Sequence, residues 1–331
     1  HCIHHFDCEK WKTGCGDCPY PDKPFAINFD DTALQFELKK QAVQNSQIAA
    51  IVASGWMEDK IKQSPIWSGK KIYKIPFGIN QNIFKPADIK EAKKKMEIDP
   101  VDRVLFFRSD ESPYKGLNIL KQTLSSLPRN EKISILTVGE KGLLYEFAEK
   151  YKIKEFGWIS DDKKLAELYQ ACDLFLMPSE QETFGMMAVE AMSCGKTVVA
   201  LDGNTALPNT INAPECGTAV SVKDFPTEIQ RLLNNREEMI GRGEKSLQYA
   251  KQNYNKDIYV KRIIDTYKDV MSDHKSDDAA KHILQQSARK SENISRKKFP
   301  LWYRYLARPL LRLVLKKYKV KFEYDSRFTK K

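Results

Sequence analysis

The sequence predicts an α/β fold, a doubly wound parallel sheet with helices on both faces. Two observations carry that prediction. Short, largely apolar runs recur along the middle of the chain, at 103–107, 133–138, 173–177, 197–200 and 217–220. Stretches of helical period lie between them, at 116–127, 143–150, 161–171 and 184–194. A strand that is apolar on both of its faces needs cover on both faces, and crossover helices between parallel strands supply it. Sheets of this kind take their ligands outside the carboxyl ends of the strands, so the residues just after each run matter most.

The richest of these strand ends follows 173–177. The segment 178–195 holds Glu182 in a turn and Glu190 about two helical turns further on, in a Glu-x7-Glu pattern. Between them, Thr183, Phe184, Gly185 and Met186 offer unpaired backbone N–H groups at the positive end of a helix dipole, which is an anion site. The flanking carboxylates accept hydrogen bonds from hydroxyls, and phosphate plus polyol describes a sugar nucleotide. For an isolated pair of glutamates, a helix cap and a solvated surface position would be the plainer account. The context argues otherwise: Met187, Ala188, Val189, Ala191 and Met192 make this helix apolar nearly all round, and a carboxylate in a buried helix needs a partner. Gly185 suits close approach of backbone to a ligand, and Gly195 ends the helix before the next strand.

The first strand ends at Arg108, and Lys115 precedes the helix that begins near Gly116. A guanidinium fork and an ammonium point charge across one loop can clasp a diphosphate from two sides. The alternative is that both cations pair with Asp110 and Glu111 at the surface. Gly139, Glu140 and Lys141 leave the second strand toward the same edge.

The remaining features frame this core. Of the 331 residues 41% are hydrophobic, enough for one large or two medium domains, and no apolar run is long enough to span a bilayer. The first residue is His1, and no secretory signal is visible. Residues 32–46 read as a helix, 48–53 as a strand, and Ser54 as the cap of a further helix. The net charge of +11 belongs to the tail, where 274–331 carry 17 Lys and Arg against 5 Asp and Glu. Within 299–318, Arg304, Arg308 and Arg312 recur every fourth residue, opposite Leu306, Leu310, Leu313 and Val314, with Trp302, Tyr303 and Tyr305 beside them. Such a basic amphipathic helix suits an anionic membrane surface; an ordinary packing helix kinked at Pro309 is the alternative. No recognition module accompanies the tail, so no nucleic-acid partner is expected. Cys2, Cys8, Cys15 and Cys18 are spaced for a structural zinc site, with disulfides or free thiols as the other readings. Cys172, Cys194 and Cys216 read as packing residues.

Arg108, Lys115-Gly116, Gly157-Trp158-Ile159, the stretch 168–179 and Glu182-x7-Glu190 resemble the retaining glycosyltransferases of the GT-B fold, the large group 1 family. The resemblance covers about residues 75–271 and is most specific in 178–195. It implies one complete Rossmann-like doubly wound domain, a partial N-terminal α/β domain and a helical tail. The expected divisions are 1–80 as an acceptor-side remnant, 81–253 as the nucleotide-sugar-binding domain, 254–272 as a crossover helix and 273–331 as the basic tail. Catalytic roles follow for Arg108 and Lys115 on the diphosphate and for Glu182 on the donor-sugar hydroxyls. Donor binding falls to Gly139, Ile159, Thr183, Phe184, Gly185 and Met186, with Glu190 on the ribose diol. Cations at the leaving diphosphate replace a metal ion, so no cofactor is required for catalysis, and the chain has no Asp-x-Asp pair. Some polysaccharide-assembly members share a run similar to Trp11-Lys12-Thr13-Gly14-Cys15.

The chain departs from that family at its front. Only about 75 residues precede a hinge-like segment at 75–86, and there is no histidine between Tyr20 and Asp273 to serve as the family's frequent catalytic base. The expected activity is transfer of a hexose-type sugar, with retention, from a UDP- or GDP-type donor to a glycan or lipid-linked acceptor. It would take place in the cytoplasm or on the inner face of the membrane. The alternatives are a truncated donor-binding chain without turnover, and a GT-B-type sugar epimerase or phosphorylase.

Overall fold

The computed structural model describes residues 8–19, 30–128 and 132–273. The chain runs α1 (Thr32–Gln44), β1 (Ala50–Val52), α2 (Gly55–Lys62), β2 (Ile72–Lys74), α3 (Ile89–Lys95), β3 (Arg103–Ser109), α4 (Leu117–Ser126), β4 (Ile133–Gly139) and β5 (Lys152–Glu155). It continues with α5 (Asp162–Ala171), β6 (Leu174–Met177), α6 (Met186–Ser193), β7 (Thr197–Leu201), α7 (Leu207–Thr210), β8 (Thr218–Val220), α8 (Phe225–Asn234), α9 (Arg236–Asn253) and α10 (Lys256–Asp273).

Strands β3 to β8 form one parallel sheet in the order β5-β4-β3-β6-β7-β8. The chain winds outward from β3 to β5, returns to lay β6 beside β3, and winds outward the other way. That reversal makes the β3–β6 boundary the topological switch point, where a crevice opens between divergent loops. Side chains alternate across the sheet. Val104, Phe106, Leu136, Phe175 and Val198 enter one core, with α5 and α6. Leu105, Phe107, Ile135, Leu174 and Val199 enter a second, with α4 and α8.

The N-terminal unit is small. Strands β1 and β2 pair in parallel, with Ala50 opposite Ile72. Ser54 caps α2 as the sequence predicts, its Oγ accepting from Met57 N at 3.2 Å. The same hydroxyl donates to the Thr183 carbonyl at 2.7 Å, and Trp56 Nε1 donates to Asn204 Oδ1 at 3.0 Å. Helix α10 lies back against this unit, where Tyr73 and Lys71 both bond Asp269 and Ile79 bridges to Asn255.

Local predictions needed correction in several places. The helix expected over 143–150 is a single 3-10 turn at Tyr145–Phe147. There Gly142 takes a left-handed φ of 79° while its N–H bonds the Glu155 carboxylate, and Lys150 reaches the carbonyls of Leu124 and Leu127. The strand expected over 48–53 is confined to Ala50–Val52. Strand β5, α8 and α9 were not foreseen. β5 is a polar edge strand, Lys-Ile-Lys-Glu. Helix α9 buries Met239, Gly243, Ser246 and Ala250, a stripe of mostly small residues that gives little hydrophobic signal.

Candidate functional site

A cavity of about 230 Å³ opens at the switch point, lined by Arg108, Lys115, Glu182, Thr183, Phe184, Gly185 and Met186, together with Phe77, Pro178 and Ser179. Each side chain is placed by a strand end or a helix start. Arg108 is the penultimate residue of β3, whose Phe107 pairs with Leu176 of β6. Lys115 precedes α4, and the Glu182 loop joins β6 to α6.

Helices α4 and α6 both begin on a left-handed glycine, Gly116 with φ 74° and Gly185 with φ 93°. A β-carbon on Gly116 would fall 2.1 Å from the Pro178 carbonyl oxygen, so glycine is what lets the α4 start close on the end of β6. Neither helix has a side-chain cap or an acidic residue in its first turn. Their first N–H groups therefore keep positive potential available for an anion.

The charges are arranged around those amides. Lys115 Nζ lies 2.5 Å from Glu182 Oε1, an ion pair across the cavity and not the Glu111 contact that a surface role would give. Arg108 pairs with Asp110 at 2.5 Å and stacks over the Trp158 ring at 4.7 Å. Arg108 Nε is buried without a hydrogen-bond partner among the described residues, an unused donor beside the cavity. Gly139 takes φ 104° against the Arg108 side chain, and its N–H bonds the Gly157 carbonyl, which brings the 157–159 loop alongside.

Glu190, Gly139 and Ile159 do not line the cavity itself. Glu190 lies four residues beyond Met186, on the same face of α6 and one turn further in. It is half-buried and accepts a hydrogen bond from Tyr169 Oη at 2.8 Å. Burial pushes its carboxyl up to about 7, with the nearby Asp162 adding to the rise and the Tyr169 hydroxyl opposing it. Ile159 packs on the adjoining core.

Sequence reasoning missed four contributors. Trp158 lay inside a quoted motif without a role, and Asp110 was seen only as a surface partner. Phe77 comes from the hinge segment and meets Phe184 edge-on at 5.2 Å. Tyr169 fell inside the quoted stretch 168–179 and was given no role. A buried tyrosine hydroxyl needs a partner, and that was the available signal.

Of the four N-terminal cysteines, Cys2 lies outside the described residues. Among the described residues no group of three or more His, Cys, Asp or Glu is gathered to hold a metal ion, so Cys8, Cys15 and Cys18 do not form one by themselves. The tail at 299–318 also lies outside the described residues. No described helix is long and apolar enough to cross a membrane.

The family model for "Glycosyl transferases group 1" matches residues 88–257, about half of the chain and, Phe77 apart, the residues that line the cavity. The chain belongs to the group 1 glycosyl transferases. A D-inositol 3-phosphate glycosyltransferase of Segniliparus rotundus is 30% identical over 195 residues, which are 55% of this chain and 43% of that protein. The chain thus spans a little under half the length of this relative. Among solved structures, sucrose-phosphate synthase from Thermosynechococcus elongatus superposes with a TM-score of 0.63 at 21% identity, covering 75% of this chain and 63% of that one. Anabaena HepE, solved with UDP and glucose, gives 0.58 at 21% identity, covering 70% and 66%. At that identity the likeness is one of fold: this glycosyl transferase has GT-B architecture.

Proposed function

We propose that the switch-point cavity binds a nucleoside-diphosphate sugar and that the protein moves the sugar to a glycan or lipid-linked acceptor with retention at the anomeric carbon. The observation that carries this reading is the convergence of Arg108, Lys115 and two uncapped helix starts on one cavity that also holds the Glu182 carboxylate. Arg108 and Lys115 hold the diphosphate and balance the charge that builds on it as the glycosidic bond breaks. The amides of 183–186 add partial positive charge to the same oxygens. Glu182, fixed by Lys115, receives donor-sugar hydroxyls, and Glu190 receives the ribose diol. Gly139 and the 157–159 loop flank the base. HepE was solved with UDP and glucose, which favours a uridine nucleotide for this chain too.

Calorimetric titration with UDP and GDP, followed by product analysis with radiolabelled nucleotide sugars and a membrane extract, tests the reading. Micromolar binding, lost in Arg108→Ala, with label in an extractable glycan whose new linkage keeps the donor's anomeric configuration, supports it. Binding without transfer would leave a donor-binding chain. Interconversion of the free nucleotide sugar would point to an epimerase, and phosphate-dependent cleavage of a glycan to a phosphorylase. The basic segment 299–318 is assigned to an anionic membrane surface on its charge pattern. Removing it should lower co-sedimentation with phosphatidylglycerol vesicles about tenfold or more, and unchanged co-sedimentation would end that assignment.

A further inference from the structure

Of the two carboxylates assigned to the donor, only Glu182 has a cation beside it among the described residues. Glu190 has one hydrogen-bond partner among the described residues, the Tyr169 hydroxyl, which donates to Oε2 and leaves Oε1 for a ligand. Tyr169 is fully buried, and its ring is held edge-on by Phe106 at 4.9 Å, Phe175 at 5.3 Å and Phe84 at 6.1 Å. Three aromatic neighbours leave the ring a single orientation, so the hydroxyl is delivered to one place. A phenylalanine would fill this site at no polar cost; the oxygen has a task only at Glu190.

We propose that Tyr169 is a positioning residue for donor binding, its hydroxyl orienting the Glu190 carboxylate to accept the ribose hydroxyls of a nucleoside diphosphate. The inference rests on the donor-site reading above. The surroundings of Glu190 give it a distinctive signature. The groups that bear on this carboxyl are Asp162 and Tyr169 on α5 and, further along α6, Cys194, whose thiol burial holds neutral. Of these, only the Tyr169 hydrogen bond favours the ionised carboxylate. Donor affinity therefore falls as pH drops below about 7. Without the hydroxyl that fall begins at higher pH.

The test is calorimetric titration of the full chain with UDP or GDP, whichever binds, and with its 2′,3′-dideoxy counterpart, between pH 5.5 and 9. Glu190→Ala should weaken the ribonucleotide about tenfold or more and leave the dideoxynucleotide unchanged. Tyr169→Phe should weaken the ribonucleotide about threefold to tenfold near pH 7.5, move the acid limb to higher pH, and also spare the dideoxynucleotide. Should Tyr169→Phe not fold, 3-fluorotyrosine at 169 keeps the shape, donates more strongly, and should move the limb to lower pH. If Glu190→Ala binds the ribonucleotide like the unchanged protein, the ribose assignment itself fails. If Glu190→Ala weakens it but Tyr169→Phe does not, or Tyr169→Phe weakens both nucleotides equally, or fluorination leaves the limb in place, the positioning role is overturned.

Discussion

Two sets of helix starts in this molecule are built on opposite plans. Helices α2, α3, α5 and α9 open on Ser54, Asp88, Asp161 and Asn235, each accepting a hydrogen bond from a first-turn amide. Helices α4 and α6 open on glycine, with no such bond and no acidic side chain in the first turn. A side-chain cap is worth about 1 kcal/mol. Helices α1, α7 and α8 also lack such a cap, but α4 and α6 are the two described helices that open on a left-handed glycine, and both starts stand over the cavity that holds Arg108 and Lys115. The difference shows where local stability has been left incomplete, with the missing partner to come from a ligand.

The strongest way to break that comparison is to remove the two cations. Arg108→Ala with Lys115→Ala should lower nucleoside-diphosphate affinity by about a thousandfold, each charge-assisted contact being worth about 1.5–3 kcal/mol. Titration of the double variant checks this, and a loss below about tenfold would move the diphosphate elsewhere. A smaller effect of the same origin comes from closing an open start. Met186→Glu places an acid in the first turn of α6, where Met186 is 38% exposed. It should raise unfolding stability by about 0.5 kcal/mol and weaken diphosphate binding about tenfold. Stability and affinity rising together would mean that the α6 amides face no anion.

The two carboxylates repeat the contrast. Glu182 has its Lys115 counter-charge, whereas Glu190 sits in an apolar helix with a hydroxyl as its one partner among the described residues, and burial pushes it up to about 7. Its pKa is raised on folding, so between the ordinary carboxylate range and about pH 7 the native state holds a proton that the unfolded chain has released. Stability then falls as pH rises through that window and stays low above it. Glu190→Gln removes this cost. Its unfolding free energy, read by chemical denaturation, should match that of the unchanged protein near pH 4.5 and exceed it near pH 8 by on the order of 2 kcal/mol. Parallel pH profiles for the two proteins would show that Glu190 ionises in the fold as it does in water.

These same features decide what could be read in advance. Strands β3, β4, β6 and β7 were legible because each is apolar on both faces, and the strand ends then located Arg108, Lys115 and Glu182 without coordinates. Helix α9 was hidden because Gly243 and Ser246 pack by being small. A β-carbon on Gly243 would fall 2.3 Å from the Gly195 carbonyl oxygen, so that contact selects for size and leaves no apolar period. The Arg108–Trp158 stack and the Tyr169–Glu190 bond were illegible for another reason. Each joins side chains from separate βα units, so only the sheet order reveals them.

The smallest expected effect sharpens the comparison from its other side. Asp88 caps α3 by accepting from Glu91 N at 2.9 Å, away from the residues that line the cavity. Asp88→Ala should cost about 1 kcal/mol of stability and leave nucleotide affinity within experimental error. Chemical denaturation and titration of one preparation give both numbers. Met186→Glu and Asp88→Ala then form a crossed pair, one exchanging binding for stability and the other losing stability alone. A loss of affinity in Asp88→Ala would mean that capped and open helix starts are coupled through the core, and the division of labour drawn between them would no longer hold.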